Sequence, residues 1–142
     1  MATRLLARAL WFILLAPMGG LEERPRIAVI VHPARQAAMS VEDLAQVYLR
    51  RKRFWDDGTP IVPLNLAAGT ALRDAFSRAV LRQNGARLAD YWNRQYFHGI
   101  LPPATLASTT AILRYVASEP NAVGYVPAAE ADTSVHVILH LE

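Results

Sequence analysis

Residues 54–76 read FWDDGTPIVPLNLAAGTALRDAF, and the order of signals in this run decides the fold. Asp56, Asp57 and Gly58 mark an acidic turn, and residues 61–64 form a short apolar strand. A loop of small residues ends at Gly69 and Thr70, and the helix after it carries Leu72, Phe76 and Val80 at helical spacing. A helix entered through such a loop presents its first free N–H groups, at the positive end of its dipole, to whatever lies above it. Strand, glycine loop and helix in that order are the parts of an anion site.

The rest of the chain extends the same alternation. Ile27–Val31 (IAVIV) is an unbroken apolar run, as in a strand buried on both faces. Ser40 with Asp43 three residues on is a near capping box, and Val41, Leu44, Val47 and Tyr48 share one face of the helix it opens. That helix is expected to end in the basic run at residues 50–53 (RRKR). Pro60 and Pro63 predict irregular pairing of the second strand. The helix from Thr70 is expected to stop at Asn84 and Gly85, with another over residues 86–97. Further on come a strand over 104–107, a helix over 109–118, a strand over 122–126 and a last strand over 135–141. The pattern predicts an α/β fold with a mostly parallel sheet and helices on both faces. In such sheets ligands sit beyond the carboxyl ends of the strands, an edge expected to gather the loops after Val31, Leu64 and Ala107.

Composition narrows the function. The chain has 142 residues, 53% hydrophobic and 19% charged, which excludes a disordered polyelectrolyte. Residues 1–20 (MATRLLARALWFILLAPMGG) pair Arg4 and Arg8 with an apolar run too short to span a bilayer. They read as a signal peptide or, if retained, an interfacial anchor, leaving residues 21–142 as one domain. The mature protein is then expected in the periplasm, or tethered to the membrane, without an integral span. The net charge of +3 falls to +1 without Arg4 and Arg8, which gives little support for nucleic-acid binding. The absence of Cys leaves no disulfide framework and no thiolate metal site.

Candidate site residues follow from the edge argument. The N–H groups of Gly69, Thr70 and Ala71, with the Thr70 hydroxyl, are candidate oxyanion donors. Equally, Thr70 reads as a cap of its own helix, worth about 1 kcal/mol. Ser108 and Thr109 open a later helix and offer either a second set of donors or another cap. His32, after the first strand, either meets a ligand or occupies a loop mouth. His136 and His140 lie on a strand-like segment about 13 Å apart, too far to share a metal. Tyr91, Trp92, Tyr96 and Phe97 read as core-facing first. No catalytic motif falls on suitable elements, so neither an enzyme nor a cofactor is expected.

Taken together, the chain resembles the phosphate-type periplasmic substrate-binding proteins. The resemblance rests on residues 49–55 (LRRKRFW), Asp57 and Gly58, residues 61–64 (IVPL), Ala68, Gly69 and Thr70, Phe76, and residues 112–126 (ILRYVASEPNAVGYV). It implies one lobe of a two-lobed fold, binding a small oxyanion such as phosphate for an ABC transport or sensing system. A transporter permease or another envelope protein would then be the partner. Two phosphate-contacting side chains of that family are missing: its Ser is Ala68, and Asn65 stands near the place of its Arg. Those losses suit an alternative, an envelope interaction or sensor module that has lost ligand binding.

Overall fold

The computed structural model describes residues 26–142; the signal peptide or anchor expected over residues 1–20 lies outside them. Five strands form one sheet in the order β3-β2-β4-β1-β5. They are β1 (Ile27–Val31), β2 (Val62–Leu66), β3 (Ala104–Leu106), β4 (Ala122–Pro127) and β5 (His136–Leu141). Four helices accompany them: α1 (Val41–Tyr48), α2 (Ala71–Phe76), α3 (Gly85–Tyr96) and α4 (Thr109–Ser118). The sheet is mixed and mostly parallel. Strands β2, β3, β4 and β5 run one way, and β1 runs against both of its neighbours, β4 and β5. Every residue of β1 is buried, as a strand in this interior position requires. Its first residue, Ile27, sits opposite Pro127 on one side and Leu141 on the other.

Helices cover both faces. On one face Tyr48 of α1, Phe76 of α2 and Tyr125 of β4 form a buried aromatic cluster, with Phe76 and Tyr125 stacked at 3.9 Å between ring centroids. The Tyr48 hydroxyl donates to the Leu64 carbonyl at 2.7 Å, so the ring is satisfied at its polar end too. On the other face α4 presses Ile112 and Val116 against Gly124. A Cβ added there would come within 2.6 Å of an Ile112 methyl, so only glycine permits this approach.

Capping sets the helix ends. Ser40 Oγ accepts the Asp43 N–H at 3.1 Å, as the near capping box predicts. Helix α1 stops at Tyr48, sooner than its basic run suggests. Arg50 turns left-handed at φ 60°, while the Arg50 and Arg51 N–H groups return to Val47 and Gln46 carbonyls, the pattern of a Schellman ending. Helix α2 continues into π-type turns over Ser77–Leu81 and ends at Arg82, also left-handed at φ 52°. Asn84 then starts α3 by accepting the Arg87 N–H, instead of closing the helix before it. The two prolines act as expected: β2 pairs with β4 at Val62 and Pro63 and with β3 from Leu64 onward.

At the end of the sheet where β2 and β4 begin, Arg35 ties three segments together. Its guanidinium donates to the Pro120 carbonyl (2.8 Å), Asn121 Oδ1 (2.9 Å), Thr59 Oγ1 (3.3 Å) and Asp57 (3.4 Å). It also lies 4.2 Å from the centre of the buried Trp55 ring.

Candidate ligand site

Strands β2 and β3 run parallel, with Leu66 opposite Leu106, so the loops that follow them leave from one edge. Helices α2 and α4 begin there, one on each face. This brings Gly69, Thr70 and Ala71 to the same edge as Ser108 and Thr109. His32 is not among them. Because β1 runs antiparallel, its carboxyl end lies beside the start of β4, with Val31 opposite Val123. The loop after Val31 therefore leaves from the opposite edge, which corrects the expectation that it joins the other two. There the His32 Nδ1 accepts the Ala34 N–H at 3.0 Å.

Each residue of the edge has a definite state. Gly69 turns the loop at φ 86°, a conformation that costs a residue with a Cβ about 1–2 kcal/mol. Thr70 holds the N-cap position without capping. Its hydroxyl donates to the Ala67 carbonyl at 2.9 Å, and its N–H reaches the same oxygen at 3.3 Å. Ala71 is the first helical residue, so its N–H has no acceptor within the helix. Ser108 does cap its helix, accepting the Ala111 N–H at 3.0 Å and keeping its own proton free to donate. Thr109, the first residue of α4, is half-buried.

Asn65 faces inward. Its Oδ1 accepts the Tyr125 hydroxyl and the Leu66 N–H (3.0 Å), within the core. Burial, the largest influence, pushes the Tyr125 phenol up to about 12, so it stays a donor. The amide near the place of the missing arginine thus serves the fold.

A residue overlooked in the sequence supplies a cation. Arg73 Nη1 donates to the Leu66 carbonyl at 2.9 Å, which anchors the guanidinium beside the loop. With Gly69, Ser77 and Arg78 it lines a cleft of about 420 Å³, which Leu88 and Trp92 of α3 also line. The signal was the spacing of Thr70, Arg73 and Ser77, three and four apart on one helix face. Another cleft, of about 470 Å³, lies at the opposite edge beside Arg35 and Trp55. The Arg35 guanidinium there is already spent on four protein acceptors, so the Gly69 cleft is the better anion candidate.

No protein-family model and no curated protein matches the sequence. Solved structures do match the fold. One is described as a phosphate ABC transporter substrate-binding protein of Clostridium perfringens with bound phosphate; it has a TM-score of 0.65 and 21% identity over 79% of this chain and 43% of that one. An ABC-type phosphate transport receptor of Vibrio cholerae gives 0.64 and 18%, over 79% and 44%. The PstS protein of Borrelia burgdorferi gives 0.62 and 12%, over 79% and 46%. The fold is therefore that of one lobe of a phosphate-type substrate-binding protein, and the chain spans less than half the length of these relatives. The first of these structures is described as a substrate-binding protein and the second as a transport receptor. Among the described residues, no helix is long and apolar enough to cross a membrane.

Proposed function

We propose that this chain is an exported, non-catalytic binding domain that receives a small oxyanion such as phosphate for an ABC transport or sensing system. One observation carries the reading: Arg73, fixed by the Leu66 carbonyl, stands beside the Gly69 turn on this particular fold. Gly69 and Ala71 offer backbone N–H groups, and the Thr70 hydroxyl joins them by turning from Ala67. Ser108 and Thr109 stand at the same edge, outside the Gly69 cleft, and would reach the ion from the start of α4 on the other face. A single lobe leaves one side of the ion wet, which weakens each hydrogen bond, so affinity is modest unless a second wall closes over it. The alternative is an envelope module that docks a protein partner, and specific features favour it: Ala68 lacks a hydroxyl, Asn65 faces inward, and both Thr70 donors already have an acceptor.

Calorimetric titration of the full chain with phosphate, against sulfate and chloride, separates the two. The informative variant is Ala71→Pro. Proline is well tolerated at the first helical position, and Thr70 before it already has the extended backbone proline needs (φ −71°, ψ 141°). The variant should keep its melting temperature or gain slightly, while phosphate binding weakens about fivefold or more through one lost donor. No saturable heat with any anion would overturn the receptor reading and turn the search to envelope partners.

A further inference from the structure

Resting on the oxyanion reading above and deepening it, we propose that the cleft beside Gly69 takes a monosubstituted phosphate or phosphonate carrying a small aromatic or apolar group. The cleft's two walls differ in chemistry. One presents the Gly69 turn and the guanidinium-bearing Arg73 and Arg78; the other presents Leu88, Ala89 and Trp92 of α3. The lining holds two guanidiniums and one carboxylate, Asp74, so its charge balance favours an anion. Arg73 spends one N–H on Leu66 and keeps four, enough for a two-pronged grip on a phosphonate head.

The apolar wall gives a bare phosphate ion nothing, because a hydrated ion gains little from hydrocarbon. An organic group on the same phosphorus covers that wall and expels its water. Size agrees: about 420 Å³ is within the usual range for organic ligands, roughly 300–1,000 Å³. The wall is also fixed in advance. Trp92 packs edge-on against Tyr91 at 4.8 Å, and the Tyr91 hydroxyl is held by the Leu49 carbonyl at 2.7 Å. Leu88 is buried beneath them, at 7% exposure.

The test titrates the full chain with phenylphosphonate and with inorganic phosphate. Phenylphosphonate should bind about tenfold more tightly, as expected for partial burial of one ring. Trp92→Ala should erase that advantage and leave phosphate affinity within about twofold. Should Trp92→Ala fail to fold, Ala89→Trp fills the same space from an exposed helix position and should have the same effect. Arg73→Ala should weaken both ligands together. Phosphate binding with no gain for phenylphosphonate overturns this inference and leaves the receptor reading standing. So does a gain that survives both cleft variants. Binding of neither ligand overturns both.

Discussion

The Tyr125 phenol donates to Asn65 Oδ1, and the same oxygen accepts the Leu66 N–H. Removing the phenol should therefore cost stability: Tyr125→Phe leaves the amide short of a partner, a loss of about 1–2 kcal/mol in urea denaturation at neutral pH. The alkaline limb follows from the same burial. The folded phenol titrates near 12, above its ordinary 10, so its contribution is complete below pH 10 and lost as pH rises toward 12. Tyr48, also pushed well above 10 by burial, acts in the same direction. Stability should fall between pH 10 and about 12, less steeply in Tyr125→Phe, and denaturation at pH 9, 10.5 and 11.5 reads the difference. At this scale the sequence was legible at the serine caps but not at Thr70, whose hydroxyl turns back to Ala67 instead of capping α2. Ser40 and Ser108 cap their helices because the N–H each accepts is three residues away. Asn65 and Arg73 were opaque, because their roles depend on a phenol sixty residues off and on the carbonyl of Leu66 at the end of β2.

Among the elements, the contact of α4 with β4 is the tightest restraint on sequence. Gly124→Ala places a methyl 2.6 Å from Ile112, and should destabilise by about 1–3 kcal/mol, seen as a lower thermal midpoint. Ile112→Ala makes room for that methyl, so the double variant should be less destabilised than the two single losses added together. The alternation of strands and helices was readable because each element has its own period of apolar residues. The direction of β1 was not, since IAVIV buries equally well whichever way it runs, and direction depends on pairing with residues about a hundred positions away. That misplaced His32. The exposure of Tyr96 and Phe97, at 68% and 86%, was missed for a related reason. Helix α3 buries only Leu88 and Tyr91, so an aromatic further along it has no wall to meet.

For the whole molecule, the Arg35 contacts fasten the edge remote from the candidate site, and acid should loosen them. Hydrogen bonds from Thr59, side chain first and then backbone, with Arg35 adding to them, hold the Asp57 carboxyl below its ordinary 3.8. A depressed carboxyl stabilises the fold above pH 3.8 and ceases to do so as pH falls through its folded value. Asp57→Asn should therefore melt earlier than the natural chain at pH 7, with the gap closing below about pH 3.8. The opposite edge has a different consequence, which follows from Ile27 lying between Pro127 and Leu141. The beginning of β1 and the end of β5 emerge side by side, at the edge that also carries Gly69 and Ser108. Arg26 leads into β1 at that edge, so a group attached ahead of it is tethered beside the candidate site rather than across the sheet from it.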